Sequence, residues 1–252
     1  MGIAAAYFLV CWFVGGTYLS LVMHLGIAHR SLDYQEWFMK AITLVNNTFF
    51  VYIAPISWVN RHRLHHIHAD HDGDPNKLDS DGFWRTMWLC LFPYECVENR
   101  ANDAILKTWP FRLVESWSFL IVSQVFNFCL LWWLVRDFTF AAVVWFVFRI
   151  FALWINMLQN FWTHDRRFGY RRYDDEDNAV NIGEVLPVTA SFSACYQNNH
   201  HHFPSLLRLS HDESEYDFGF VIVKLFKALG LVKASQTGER IAPEIPLQKL
   251  SW

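Results

Sequence analysis

Histidine is the residue type whose number and spacing in this sequence could do chemistry. The chain has 12 histidines in 252 residues, and most of them fall into four short patterns. The patterns are His24 with His29; His62, His65 and His66; His164 four positions after Asn160; and His200 and His201 after Gln197. Neutral imidazole is a good ligand for iron, zinc and copper. The patterns therefore predict a metal site assembled from distant parts of the chain.

The spacing within the patterns indicates more than one metal ion. Positions i, i+3 and i+4 of a helix share one face, so His62, His65 and His66 can converge on one region. Adjacent histidines, in contrast, point about 100° apart on a helix of 3.6 residues per turn. The pairs His65–His66 and His200–His201 are therefore better suited to two metals than to one. A tetrahedral zinc ion alone would need only four ligands.

Apolar segments long enough to cross a membrane must position these histidines. A bilayer core needs about 20 predominantly apolar residues of helix. Three segments reach this length, at residues 3–23, 116–135 and 138–158. Only Arg136 and Asp137 separate the last two, so we expect these spans to form a tight antiparallel hairpin. The first segment is too long for a secretory signal peptide, and no basic region precedes it.

A fourth apolar stretch, residues 37–59, is interrupted by Asn46, Asn47 and Pro55, and we interpret it as an interfacial or re-entrant segment. If it does not cross, 12 Lys and Arg residues fall in the same set of connecting segments. Such an excess marks the cytoplasmic side of a membrane. All the histidine patterns lie on that side. The first span then has almost no residues before it, which suggests that a preceding span is missing from the sequence.

These features predict an all-α fold with three to four membrane spans, as one domain over residues 1–252. A cytoplasmic helical cap at residues 60–113 and 159–252 would carry a histidine-rich dimetal site, and the tail after Gly230 is expected to be poorly ordered. A formal net charge of −3 argues against a nucleic-acid partner. The cysteines are scattered and are predicted to be free. They are Cys11, Cys90, Cys96, Cys129 and Cys195.

The spacing and order of the histidine patterns resemble those of the membrane fatty acid desaturase family. That family has a His-x4-His box, a His-x-x-His-His box and a third box, (His or Gln)-x-x-His-His, around two irons. The resemblance is greatest to the stearoyl-CoA, or acyl delta-9, type. In that type an acidic segment similar to residues 72–76 follows the second box, and a Phe-Pro similar to Phe203–Pro204 follows the third. The resemblance covers about residues 10–220.

The resemblance implies which residues hold the metals. The implied iron ligands are His24, His29, His62, His65, His66, His164, His200 and His201, with Asn160 bound through a water. The sequence departs from the stearoyl-CoA type at Gln197, which replaces a histidine and would be a weaker ligand. One metal is therefore expected to bind less tightly or to keep an open position. The other histidines, which have no box position, are expected to surround the site or lie at the surface. They are His68, His71, His202 and His211.

The implied activity is the insertion of a cis double bond into a long acyl chain, using O2 and two external electrons. The substrate would be an acyl-CoA or a membrane lipid, and the electron donor a ferredoxin or cytochrome b5 with its reductase. The implied cofactor is a pair of iron ions, and zinc is expected to compete for the same nitrogens in purified protein. The protein would lie in a bacterial inner membrane or the endoplasmic reticulum, with its metal site on the cytoplasmic side.

Aromatic residues near the boxes are candidates for the wall of a substrate tunnel, with core packing or a membrane-interface position as the alternative for each. They are Trp58, Trp84, Trp88, Phe161 and Trp162. Two other functions stay open. The same scaffold carries lipid hydroxylase, acetylenase and carotenoid oxygenase chemistry, and Gln197 keeps this alternative open. A metal-binding membrane protein without turnover is the second alternative, but the spans contain few polar residues for ion passage.

Overall fold

Helices make up most of the computed structural model, which describes residues 2–78, 82–91 and 99–235. Within these residues three helices are long and apolar enough to cross a membrane, as predicted. They are Gly2–Ala28, Trp117–Val135 and Phe138–His164. The tight hairpin is also confirmed. Arg136 ends one helix with a left-handed φ of 63°, and the Asp137 carboxylate accepts the N–H of Phe140 at the start of the next.

The first span is longer than predicted and changes its geometry midway. It begins as an α-helix, α1 (Gly2–Gly16), and continues as a π-helix over Thr17–Ala28. The helix therefore continues beyond residue 23, where the predicted apolar segment ends, and stops just before the second histidine of the first pattern. In a π-helix each N–H bonds to the carbonyl five residues earlier. The N–H of His29 accordingly donates to the carbonyl of His24 at 3.0 Å.

The interrupted stretch at residues 37–59 contributes to two helices joined by a short turn. These are α2 (Glu36–Phe49) and α3 (Pro55–His68). The side chains that interrupt the apolar pattern form the turn, since Asn46 donates to the carbonyl of Val51 at 2.7 Å and Asn47 accepts the N–H of Ile53 at 2.7 Å. Proline suits the first position of a helix because its missing N–H has no partner there anyway. The turn therefore follows directly from the polar residues in the stretch.

The remaining elements are short and surround the ends of the spans. The helices are α4 (Gly82–Leu91), α5 (Trp109–Val114), α6 (Trp117–Val135), α7 (Phe138–Asn160), α8 (Val185–Ala190), α9 (Gln197–His202) and α10 (Phe218–Ala228). Single 3-10 turns occur at Ile105–Lys107 and Trp162–His164. The strands are β1 (Leu32–Tyr34) and β2 (Val232–Ser235), which pair antiparallel.

Two details of the predicted cap need correction. Turns and bends, rather than helix, connect His164 to α8, so the cap is not entirely helical. The tail after Gly230 was expected to be poorly ordered, yet its first residues form β2, because β1 offers unpaired backbone groups beside them. Residues 236–252, with Pro243 and Pro246, lie outside the described residues.

The core lies around the π-helical half of the first span. Tyr18, Leu21 and Val22 are fully buried there and belong to one apolar cluster with Phe111 and Phe192. Of the apolar window of the first span, 56% is buried within the protein, against 17% and 11% for the other two spans. The protein thus encloses the first span, whereas α6 and α7 expose most of their sides. The described cysteines are free, as predicted, and Cys96 lies outside the described residues.

Candidate metal centre

The eight box histidines come together in two groups. In each group, one ring nitrogen per histidine lies within 4.8 Å of those of the other members. The five-histidine group consists of His24, His29, His62, His66 and His200. The three-histidine group consists of His65, His164 and His201. The four histidines without a box position, including His202 and His211, belong to neither group.

The π-helix brings the first two histidines together. On an α-helix, residues five positions apart would point about 140° away from each other. Because the helix is wound as a π-helix here, His24 and His29 lie on one side, and their ring centroids are 4.8 Å apart. Short π-helical segments are often found at functional sites. This geometry explains why a spacing of five residues can serve one metal.

Helices α3 and α9 each send adjacent histidines to different groups. On α3, His62 and His66 are one turn apart, and their ring centroids lie 4.7 Å from each other. His65 points elsewhere, towards His201, with ring centroids 5.0 Å apart. On α9, His200 joins the five-histidine group and its neighbour joins the three-histidine group. Adjacent histidines thus occupy different groups, as the helical geometry predicts.

The nitrogens of the five-histidine group converge on a small volume. The Nε2 atoms of His24 and His200 are 2.9 Å apart, and those of His29 and His62 are 2.7 Å apart. Burial, together with the neighbouring imidazoles, holds the pKa values of His62, His66 and His200 well below their usual range. These imidazoles are therefore neutral at pH 7 and can offer lone pairs. An all-nitrogen donor set of this kind fits a transition-metal ion.

An aspartate supports each member of the three-histidine group. The Nδ1–H of each ring donates to a carboxylate: His65 to Asp74 at 2.9 Å, His164 to Asp70 at 3.2 Å, and His201 to Asp177 at 2.9 Å. A hydrogen bond at Nδ1 fixes the tautomer that leaves Nε2 available for a metal. Such carboxylate–histidine pairs are typical of metal sites. The residues present thus fit a bound metal in both groups.

The aspartates stay ionised despite their burial. Burial alone would raise the pKa of Asp70, but His164 and the backbone N–H of Asn178 hold this pKa well below its usual range. The pKa of Asp74 is lowered in the same way, against its burial, by His65 and the N–H of Asn76. Sequence reasoning did not identify these aspartates. The acidic segment after the second box was the signal that could have indicated them.

The two amide residues of the predicted site, Asn160 and Gln197, line a cavity beside the histidines. Asn160 donates to the carbonyl of Asn156 at 2.8 Å, and its oxygen accepts from Asn76 at 3.2 Å. Gln197 donates from Nε2 to the carbonyl of Ala194 at 2.7 Å, so its amide oxygen is the atom left for a ligand. Members of both histidine groups line the same cavity.

Two further cavities share lining residues with this one. One shares Trp58 and Arg61 with it, and the other lies between α1 and α7. Leu19 lines all three cavities. The innermost walls are mostly apolar and include Cys11 and Ala152. An apolar passage formed by these neighbouring cavities would suit a hydrocarbon chain with a reactive position part way along it.

Of the aromatic residues proposed for a tunnel wall, Trp58 lies on these cavities and the other four do not. Trp84 and Trp88 lie on α4 with 67% and 61% of their surface exposed. Phe161 packs edge-on against Phe83, and Trp162 packs against the apolar core. A role for these four in binding an acyl chain stays a prediction.

A buried arginine connects the first two histidine boxes. Arg63, on α3 between His62 and His65, has only 1% of its surface exposed. Its guanidinium donates to the carbonyls of Ile27 and Ala28, at the end of the π-helix, and forms an ion pair with Asp103 at 2.6 Å. Sequence reasoning missed this residue, although a charged residue inside a metal-binding pattern was a signal.

Comparison with known proteins gives one consistent family. A profile described as fatty acid desaturase matches residues 1–212. An sn-1 stearoyl-lipid 9-desaturase of Anabaena variabilis is 31% identical over 229 residues, which cover 88% of this chain and 80% of the relative. An sn-2 palmitoyl-lipid 9-desaturase of a Nostoc species is 30% identical, covering 88% and 77%. Delta-9 acyl-lipid desaturase 1 of Arabidopsis thaliana is 25% identical, covering 88% and 72%.

Proposed function

Because the chain belongs to the fatty acid desaturase family, we propose that it inserts a cis double bond at position 9 of an acyl chain carried by a membrane lipid. The reaction would use two iron ions, O2 and two electrons from an external protein. The names of the similar cyanobacterial proteins support both the position and the lipid substrate. The observation that carries the proposal is that members of both histidine groups line one cavity, and that Leu19 is shared between this cavity and an apolar cavity between the spans.

Each of the two histidine groups would hold one iron ion. When bound, such a pair supplies the activation of O2 needed to remove two hydrogens from adjacent methylenes, which acid–base side chains cannot do. The protein's own residues have other tasks. The aspartates hold the rings of the three-histidine group in one orientation, and the apolar walls exclude water and fix the position of the chain.

The cavities suggest how the acyl chain lies. Its methyl end would enter the cavity between α1 and α7, where Cys11 and Phe148 form part of the wall. Cys11 lies eight residues before Leu19 along the first span. The polar end would leave past Trp58 and Arg61, towards α4. Position 9 would then be held beside the histidines by the depth of the apolar passage.

The membrane arrangement and the partners are part of the proposal. We infer an integral membrane protein with its metal site on the cytoplasmic side, supported by the Lys and Arg residues that flank the spans. A soluble or membrane-bound one-electron carrier, such as a ferredoxin or cytochrome b5 with its reductase, would supply the electrons.

The proposal can be tested by expressing the chain in a host of defined lipid composition and reading the fatty acids by mass spectrometry. We expect a new cis double bond at position 9, absent with His201→Ala and present with His202→Ala, the adjacent residue outside both groups. A hydroxylated, acetylenic or ketolated product would favour the alternative oxygenase function. Bound metal without any lipid product would favour a metal-binding protein without turnover.

A further inference from the structure

The two histidine groups differ in the carboxylates that contact them. Each ring of the three-histidine group has its own aspartate, as described above. In the described part of the chain, none of His24, His62, His66 and His200 hydrogen-bonds to a carboxylate. The hydrogen-bonding distances among these four instead join one imidazole to another, as between His66 and His200 at 3.1 Å. All three rings of the smaller group thus contact a carboxylate, whereas these four rings of the larger group do not within the described residues.

Backbone N–H groups hold the three carboxylates in place. Asp74 accepts from the N–H groups of Asp70 and Asn76, each at 2.7 Å. Asp70 accepts from the N–H of Asn178 at 2.8 Å, and Asp177 accepts from the N–H of Ala179 at 3.0 Å. The aspartates are thus fixed negative charges one hydrogen bond away from the three-histidine group.

The charges of these aspartates are only partly offset. Arg171 lies 3.4 Å from Asp177 and neutralises part of that carboxylate, but its guanidinium is also engaged with the backbone carbonyls of Asp177 and Ala179. For Asp70 and Asp74 the ion-pair partners in the described residues are the histidines themselves. A cation bound by the three-histidine group would therefore lie in a field of negative charge that three neutral imidazoles alone would not supply.

We propose that Asp70, Asp74 and Asp177 are positioning residues for one metal of the pair, and that they compensate for the small number of imidazoles in the three-histidine group. This inference rests on the proposed dimetal site. A carboxylate at Nδ1 makes the imidazole a better donor at Nε2, and loss of such a partner typically lowers metal affinity 10- to 100-fold. The five-histidine group offers more imidazoles instead. The two metals are thus held by different means and are separable by mutation.

The test compares metal retention in Asp70→Asn, Asp74→Asn and Asp177→Asn, in which the side chain keeps its size and an acceptor oxygen but loses its charge. The matched control is Asp175→Asn, because Asp175 accepts from Nδ1 of His202, which lies outside both groups, at 2.9 Å. Each purified protein, loaded with isotope-enriched iron, is exposed to increasing chelator. Metal per chain is counted, and Mössbauer spectra are recorded.

We expect wild type and Asp175→Asn to keep two irons in two spectroscopic environments. The other three variants should lose one iron at 10- to 100-fold lower chelator concentration and keep a single environment. Adding His200→Ala to Asp177→Asn should lower the chelator concentration that removes the remaining iron, whereas adding His164→Ala should not. Loss of both irons together, or retention of both, in the correctly folded variants would overturn the inference.

The proposed function fails separately from this inference. A wild-type protein that holds two irons but forms no unsaturated lipid would contradict the desaturase proposal and leave the metal asymmetry standing. If the protein desaturates lipids but its Asp70, Asp74 and Asp177 variants retain both irons, the desaturase proposal stands and the metal asymmetry is contradicted. The three substitutions lie in two separate loops, so misfolding of one variant leaves the others to decide.

Discussion

The indole ring of Trp58 stacks on the imidazole of His62, with ring centroids 4.8 Å apart and ring planes 9° apart. The two residues are one turn apart on α3, so the helix itself sets this contact. Trp58 also lines the first two cavities. One side chain therefore orients a box histidine and forms the wall along which an acyl chain would pass.

Replacing Trp58 should separate these two roles. We expect Trp58→Ala to lower the product yield at least tenfold, because His62 loses a contact that fixes its ring. Trp58→Phe keeps an aromatic face, so its product yield should fall much less. Unsaturated fatty acids are measured at equal protein levels, together with metal per chain. Equal yields from the alanine and phenylalanine variants would show that stacking on His62 does not matter.

Arg63 should contribute strongly to stability. We expect Arg63→Met to lower the free energy of unfolding by about 3–5 kcal/mol, because it leaves the carboxylate of Asp103 and the carbonyls at the end of the π-helix without their main donor. Arg30 is the matched control, since it pairs with the same carboxylate at 2.8 Å but has 51% of its side chain exposed.

Arg30→Met should cost only about 0–1 kcal/mol, as is usual for exposed ion pairs. Thermal unfolding of both variants in detergent can be compared, with tryptophan fluorescence as the signal. Similar losses of unfolding free energy in the two variants would mean that burial of the Arg63 guanidinium does not add to stability. We also expect Arg63→Met to release metal, because the arginine joins the helix of the first box to that of the second.

Membership of a histidine group should decide the effect of an alanine substitution. His65→Ala and His201→Ala should each abolish desaturation, because the three-histidine group has no imidazole to spare. His211 is also buried, but its Nδ1 lies 3.1 Å from the hydroxyl of Tyr173, outside both groups. His211→Ala should keep most of the activity. Lipid analysis checks this, and loss of activity in His211→Ala with both metals retained would contradict it.

The sequence was sufficient to locate the spans and the eight histidines that come together. Both depend on local properties, namely the length of apolar runs and the spacing of one residue type. It was insufficient for the π-helix, because the choice between bonding to the fourth or the fifth preceding carbonyl depends on how residues such as Tyr18 and Val22 pack in the core. The resemblance to the desaturase boxes placed His24 and His29 in one site without explaining how.

The partners of the histidines were also beyond sequence reasoning, because distant segments supply them. Asp70 lies 94 residues before His164, and Asp177 belongs to a connection without regular structure. No periodic pattern relates such residues. β2 was missed for the same reason, since its partner strand β1 lies at the other end of the chain. Tertiary contacts, rather than local preference, determine these features.

Gln197→His should strengthen metal binding. Gln197 lines the first cavity with His65 and His164, two members of the group with fewer imidazoles. An imidazole in place of the amide would add a stronger ligand beside that group. We expect the variant to keep its more weakly bound iron at chelator concentrations that strip it from wild type, and Gln197→Ala to lose it sooner. Identical metal loss in all three proteins would show that this position is not a ligand.

The depth of the apolar passage should determine which acyl chains are accepted. Ala152 is buried on α7 and lines the innermost cavity, so Ala152→Leu would place a branched side chain where the methyl end would lie. We expect the ratio of palmitoyl-derived to stearoyl-derived product to rise, because the shorter chain needs less room beyond the histidines. Ala142→Leu, also on α7 but away from the three cavities, is the control. A product ratio unchanged in Ala152→Leu, with activity retained, would mean that the acyl chain takes another path.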